Sequence, residues 1–205
     1  MRLRQLEIAL QGLEGFTAPR PWLEQYTTPA PLAARLLFLA ASHGDIDDRT
    51  VLDLGSGTGI LACGAALLGA SEVMGVEVDP GAIAVAQTNA DRLGVAIEWV
   101  EEDVRDLPQQ VRSRVFDTVV MNPPFGAQAR HADRPFVDAA LDHGRTIYSL
   151  FNAHTLPFLE RYIEGRGQIL ETISARLVLP RSMVHHRKAT VEIPVECVRI
   201  RSLVV

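Results

Sequence analysis

Thr50-Val51-Leu52-Asp53-Leu54-Gly55-Ser56-Gly57-Thr58-Gly59-Ile60 sets the architecture of this chain. An apolar run broken by one carboxylate leads into three glycines at alternate positions, and an apolar helical pattern over 60–68 follows at once. Glycine has no Cβ, so the backbone there can turn tightly and let a ligand approach. Strand, glycine turn and helix together predict a binding crevice for a nucleotide-like cofactor at the carboxyl end of the strand. The spacing is G-x-G-x-G rather than the dinucleotide G-x-G-x-x-G, and the turn alone does not exclude NAD.

Outward from this turn, strands are predicted at 51–54, 72–78, 96–100 and 116–121, with helices over 60–68 and 80–93 between them. That alternation is the signature of a doubly wound parallel sheet. Asp79 is placed to cap the second helix, and Pro80 suits its first turn. The pattern continues as a loop to about residue 135, a helix over 136–142, a strand over 146–150 and a helix over 153–164. The runs 168–179 and 189–201 are both β-rich with no helix between them, so they pair as an antiparallel hairpin at the sheet edge. Leu3, Leu6, Leu10 and Leu13 recur at helical spacing, which predicts a short helix closing at Gly12 to Gly15. Pro19, Pro21, Pro29 and Pro31 keep the next segment irregular before a helix over 32–43. The expectation is one α/β domain over 1–205: a helical cover (1–45), an α/β core (46–165) and a C-terminal β-hairpin (166–205) on a Rossmann-like, mostly parallel seven-stranded sheet.

Composition narrows the function classes. No window approaches ~18 uninterrupted apolar residues, and the first residues lead into an amphipathic pattern rather than a signal-peptide core. A soluble cytoplasmic protein with no membrane partner is expected. Cys63 and Cys197 are far apart, lie in apolar settings and lack metal-ligand spacing, so both read as buried thiols and no metal is expected. A net charge of −5 argues against a generally basic nucleic-acid surface, while a local patch can still hold phosphates. Of the 20 basic residues only Lys188 is lysine, a bias read as codon usage rather than function.

Two acids fall beside the glycine turn. Glu77 ends the second strand, 18 residues after Gly59, where a carboxylate can accept from both hydroxyls of a ribose. Asp103 follows the third strand and can accept from an adenine amino group.

Asn122-Pro123-Pro124-Phe125 closes the fourth strand, 63 residues beyond Gly59. An exocyclic aromatic amine is a poor nucleophile because its lone pair is delocalised into the ring. The Asn122 side-chain oxygen and the Pro123 carbonyl can both accept from such an amine and redirect its lone pair, Pro124 stiffens the backbone, and Phe125 can stack on the ring. No strong base is needed, because the proton can leave once the nitrogen is alkylated. The pair of motifs therefore reads as methyl transfer from S-adenosylmethionine to an amine or amide nitrogen, and an NAD oxidoreductase leaves the second motif without a purpose.

Four stretches resemble one family: Leu23-Glu24-Gln25-Tyr26 with Thr28, Asp53 to Ile60, Asn122 to Gly126, and His186-Arg187-Lys188 leading into Val191-Glu192-Ile193. They are similar to the small rRNA N6-adenosine methyltransferases of the methyltransferase-like protein 5 type, class I amino-methyltransferases. The resemblance implies that Gln25 and Thr28 contact the cofactor's methionine end, that Tyr26, Asp53, Gly55, Gly57, Thr58 and Ile60 line the cofactor, and that Glu77 and Asp103 take its ribose and adenine. It further implies an RNA substrate, expected to be small-subunit rRNA, and a small zinc-binding activator subunit docking on a sheet edge. Glu77 stands where an aspartate is usual and Thr58 where a cysteine is frequent, and neither change removes the chemistry.

Phosphate contacts are expected from Arg130 and Arg134 beside the acceptor loop, and from Arg181, His185, His186, Arg187 and Lys188 in the hairpin turn. The rival readings are guanine N2 methylation of RNA, glutamine N5 methylation of protein, and a non-catalytic RNA-binding module on the same fold.

Overall fold

The computed structural model describes residues 1–126, 128–129, 131–180 and 190–205. Two helices come first, α1 (Leu3–Gln11) and α2 (Ala30–Ser42). The alternating core follows as β1 (Thr50–Leu54), α3 (Ile60–Leu67), β2 (Glu72–Glu77), α4 (Pro80–Leu93), β3 (Glu98–Glu101), α5 (Gln109–Arg112) and β4 (Phe116–Met121). It closes with α6 (Arg134–His143), β5 (Gly144–Asn152), α7 (Leu156–Tyr162), β6 (Gly167–Pro180) and β7 (Thr190–Ser202). The seven strands form one sheet in the order β3-β2-β1-β4-β5-β7-β6. The first five are parallel to one another, and β7 runs antiparallel to both β5 and β6. This is the sheet that the strand-helix alternation and the terminal hairpin pattern predict.

Each central strand is buried on both faces, so its apolar residues divide by parity. Val51, Val73, Val120, Tyr148 and Leu150 face a cluster covered by α1, α2 and α3. Leu52, Leu54, Met74, Val119 and Met121 face a second one covered by α5, α6 and α7. At 9 residues, α1 is shorter than the roughly 12–15 that hold a helix alone in water. Its stability therefore comes from Leu6 and Leu10, which are fully buried against α2 and α3, each contributing about 1.5–3 kcal/mol.

Several boundaries differ from the sequence expectation. Arg134 and Pro135 belong to α6 rather than to the loop, because proline is tolerated in a first helical turn. The predicted helix over 153–164 divides into a 3₁₀ turn, Ala153–Thr155, and α7. Strand β5 is longer than predicted, since β7 pairs with it from Thr146 to Asn152. Beyond Val195, β7 keeps only β6 as a neighbour, and Pro194, which has no amide hydrogen to give a second strand, is the first residue past that point.

All five parallel strands point their carboxyl ends the same way. The glycine turn, Glu77, Asp103 and Asn122 follow four of them and so converge on one edge of the sheet. Among the described residues no helix is long and apolar enough to cross a membrane.

Candidate active site

Past β1 the chain turns through Gly55 and Gly57, both with positive φ (68° and 54°). A Cβ on Gly55 would stand 2.7 Å from Phe136 Cε1, and one on Gly57 3.0 Å from Phe16 Cζ. The two rings close on the turn as far as the missing side chains allow. The turn lines a cavity of about 440 Å³, within the usual range for small-molecule sites. The other walls come from residues 22–28, from Val76, Glu77 and Val78 at the end of β2, from the Glu102 to Arg105 turn, and from Asn122, Pro124 and the segment leading into α6.

Three of the acids that line this cavity were expected from the sequence, and each is held by different partners. Asp53 is 1% exposed. Its Oδ2 accepts from the Ala62 amide at 2.9 Å, and its Oδ1 has no partner. Burial, with Glu77 nearby, pushes the Asp53 carboxyl up to about 8. A buried acid oxygen with no donor, on a cavity wall, fits a ligand that brings a cationic N–H group. The buried Ser56 hydroxyl beside it is also unpartnered. Glu77 accepts from the Gly57 amide through Oε2 (2.9 Å) and from the Val78 and Asp79 amides through Oε1 (3.0 and 2.9 Å). Burial raises its pKa above the ordinary value. A carboxylate offers about four lone-pair positions, so three amides fix Glu77 and still leave room for a ligand hydroxyl. Asp103 is clamped by the Arg105 guanidinium, which holds its carboxyl below the ordinary range.

On the acceptor side, Asn122 is held by two side chains from the N-terminal segment. The Tyr26 hydroxyl donates to Asn122 Oδ1 at 3.2 Å, and Asn122 Nδ2 donates to Thr28 Oγ1 at 2.9 Å. Burial raises the Tyr26 phenol well above its ordinary pKa, so it stays protonated and donates. Together these bonds fix the plane of the amide. Tyr26 and Thr28, expected from the resemblance to serve the cofactor, thus also orient the acceptor asparagine. Phe125 packs at 6.0 Å and 52° against Tyr26 and against the α2 side of the core, and Pro123 is buried. Asn122 and Pro124 are the members of the tetrapeptide that line the cavity.

The residues that hold this N-terminal segment in place escaped the sequence reading. Asn89 is fully buried in α4. Its amide takes the Glu14 N–H (2.8 Å) and donates to the Glu14 and Thr58 carbonyls (3.0 and 2.9 Å), tying the segment to the glycine turn. A polar residue in line with the apolar Ala82 and Ala86 was the signal that could have found it. Asp79 caps α4 as expected, accepting from the Gly81 amide at 3.0 Å. It also accepts from Gln25 Nε2 at 2.8 Å and pairs with Arg20 at 3.2 Å. Glu24 reaches across to accept from the Gln128 amide at 2.8 Å, joining the segment to the acceptor loop.

Of the expected phosphate contacts, Arg134 falls among the described residues. The Arg134 guanidinium lies over the rings of Phe158 and Tyr162, 4.9 and 5.2 Å from their centroids. Arg130, His186, Arg187 and Lys188, with Arg181 and His185, lie outside the described residues. Cys63 and Cys197 are buried free thiols, and among the described residues no cluster of His, Cys, Asp or Glu is placed to hold a metal ion.

Known proteins resemble this chain along nearly its whole length. The methyltransferase small domain family matches residues 33–146. An uncharacterized protein of Methanocaldococcus jannaschii is 38% identical over 99% of this chain and 95% of its own length. The rRNA N(6)-adenosine-methyltransferase METTL5 of Danio rerio is 33% identical over 97% of this chain and 98% of its own. The crystal structure of a Pyrococcus horikoshii protein, described as a candidate RNA methyltransferase, superposes with a TM-score of 0.89 at 38% identity, covering 98% of both chains. With a glycine turn, a trio of acids and an oriented Asn-Pro-Pro-Phe asparagine on one cavity, and full-length likeness to these relatives, the chain belongs to the methyltransferase small domain family, in its methyltransferase-like protein 5 branch.

Proposed function

We propose that this protein transfers the methyl group of S-adenosylmethionine to the N6 amino group of an adenosine in RNA, with small-subunit rRNA as the substrate. The observation that carries the reading is Asn122, set at the cavity wall by the Tyr26 and Thr28 hydroxyls. An amide pinned at both ends is arranged to receive a hydrogen bond in one direction, as a planar amine requires.

Asp53 Oδ1 would take the ammonium of the cofactor's methionine part, Glu77 a ribose hydroxyl and Asp103 the adenine amino group. When bound, S-adenosylmethionine supplies a methyl group on a cationic sulfur. Asn122 Oδ1 keeps one lone-pair position beyond the bond from Tyr26 and accepts from the substrate amine there. The Pro123 carbonyl is assigned the second amine hydrogen. With both hydrogens engaged out of the ring plane, the nitrogen lone pair is no longer spread into the base. Tyr26, kept protonated by burial, acts as a donor and not as a base.

The RNA backbone is assigned to Arg130, His186, Arg187 and Lys188, with Arg134 acting from its seat on the aromatic rings. The β6–β7 ribbon supports this. It stays paired from Arg176–Pro194 to Pro180–Thr190, beyond Asn152 where β5 ends, and so projects past the sheet edge that carries Asn122. The zinc-binding activator is assigned to an outer edge of the sheet, β3 or β6, where strand addition has a free ladder to extend. Co-purification with such a subunit, lost when charged residues or prolines block one of those edges, tests that assignment.

The test of the activity is transfer of labelled methyl to unmodified small-subunit rRNA, followed by nucleoside digestion and mass spectrometry, for the intact protein and Asn122→Ala. N6-methyladenosine that vanishes in the variant supports the reading. Methylguanosine would replace adenine by guanine as the acceptor, and label appearing in protein would replace RNA.

A further inference from the structure

Phe125, the ring of the acceptor tetrapeptide, packs on Tyr26 and the core, while the cavity that Asn122 lines is also lined by a different ring, His131. His131 has φ 65°, a left-handed backbone that few non-glycine residues adopt and that histidine tolerates better than most. Its imidazole stacks on Phe158, with centroids 5.7 Å apart and planes 24° apart. Phe158 in turn stacks on Tyr162 at 5.6 Å and 23°. The row is braced from both sides. Arg134 lies over Phe158 and Tyr162, and Arg166 over Tyr162 at 5.2 Å. Asp138 ties down the Tyr162 end, accepting from the Tyr162 hydroxyl and from Arg166 Nη1, both at 2.8 Å.

Resting on the function proposed above, we propose that His131 is a stacking surface for a nucleobase of the RNA at the mouth of the cavity. The imidazole rests on Phe158, and His131 also lines the cavity. A base placed there extends a row of planar groups already stacked at regular intervals. Stacking accepts any base, because every base has a π-face. His131 therefore adds affinity for an unpaired nucleotide and leaves sequence choice to other contacts. The row keeps the ring from rotating away, and so Phe158 is a positioning residue. Its removal should have a smaller effect than removal of the imidazole itself.

The experiment compares wild type with His131→Asn and His131→Phe. Asparagine tolerates the left-handed backbone and deletes the ring, and phenylalanine restores a ring without a titrating nitrogen. With a small-subunit rRNA transcript, His131→Asn should raise KM for RNA about ten-fold and leave kcat within about two-fold. The dissociation constant for S-adenosylmethionine, by calorimetry, should not move. His131→Phe should recover most of the loss, and the salt slope of binding should stay that of wild type, since no phosphate contact is removed. Equal RNA binding by wild type and His131→Asn in fluorescence anisotropy overturns the inference, as does a failure to rescue by a His131→Phe protein whose Tm matches that of wild type. If wild type methylates no RNA, the proposed function fails, and the anisotropy comparison still decides the role of His131.

Discussion

Replacing Tyr26 by phenylalanine tests whether the pinned amide is the working part of the site. The change deletes one oxygen and leaves the ring on Phe125, so packing at the 6.0 Å contact survives. What is lost is the 3.2 Å bond from the phenol to Asn122 Oδ1, at the long end for a hydroxyl donor. A neutral hydrogen bond of this kind contributes about 0.5–1.5 kcal/mol, and the length argues for the middle of that range or below. About 1 kcal/mol on the barrier is roughly a five-fold fall in kcat. The other bond, from Asn122 Nδ2 to Thr28, keeps the amide from turning over, and total loss is therefore not expected. The assay is steady-state methyl transfer to rRNA, run as a double-mutant cycle with Asn122→Ala. Tyr26→Phe should lower kcat in the wild-type background and have no effect on the residual rate of Asn122→Ala. An equal loss in both backgrounds would refute the reasoning, because Tyr26 would then act without Asn122.

The buried Asp53, raised from 3.8 to about 8, makes the folded protein bind more protons than the unfolded chain between those pH values. Its contribution to stability is full below pH 3.8 and is lost as pH rises to about 8, so Asp53→Asn should flatten that decline in a pH series of thermal melts without cofactor. Parallel curves for the two proteins would contradict it. Gly57→Ala puts a Cβ at φ 54°, 3.0 Å from Phe16. It should destabilise by about 1–2 kcal/mol and weaken S-adenosylmethionine binding in calorimetry. Asp79→Ala removes a helix cap together with the anchors of Gln25 and Arg20. A fall in Tm of roughly 2–8 °C is expected by scanning calorimetry, from about 1–2 kcal/mol of lost capping, and an unchanged Tm would show that the segment is held elsewhere.

The sheet, the glycine turn and the place of Asn122 at the end of a strand were legible in the amino-acid sequence. Those features rest on local rules: strand and helix periods, glycine at positive φ, a cap before Pro80, and an Asn-Pro-Pro-Phe end to a strand. Gly55, Gly57, Glu77 and Asp103 could be placed on one edge because parallel strands share a carboxyl end, a rule that needs only their order in the chain. Only the tertiary structure decided which groups touch. Tyr26 and Thr28 reach Asn122 across 96 and 94 residues, Asn89 reaches Glu14 across 75, and Gln25 reaches Asp79 across 54. No pattern within a strand or helix encodes such pairings, since they depend on how the segment after α1 crosses the finished sheet edge. Arg134 shows the same limit. Its charge and its place beside the acceptor loop are visible in the sequence, and the fold alone brings α7 under it and seats its guanidinium on two aromatic rings. The row from His131 through Phe158 to Tyr162 joins a loop to a helix more than twenty residues later, and it exists only because β5 returns the chain to that side of the sheet.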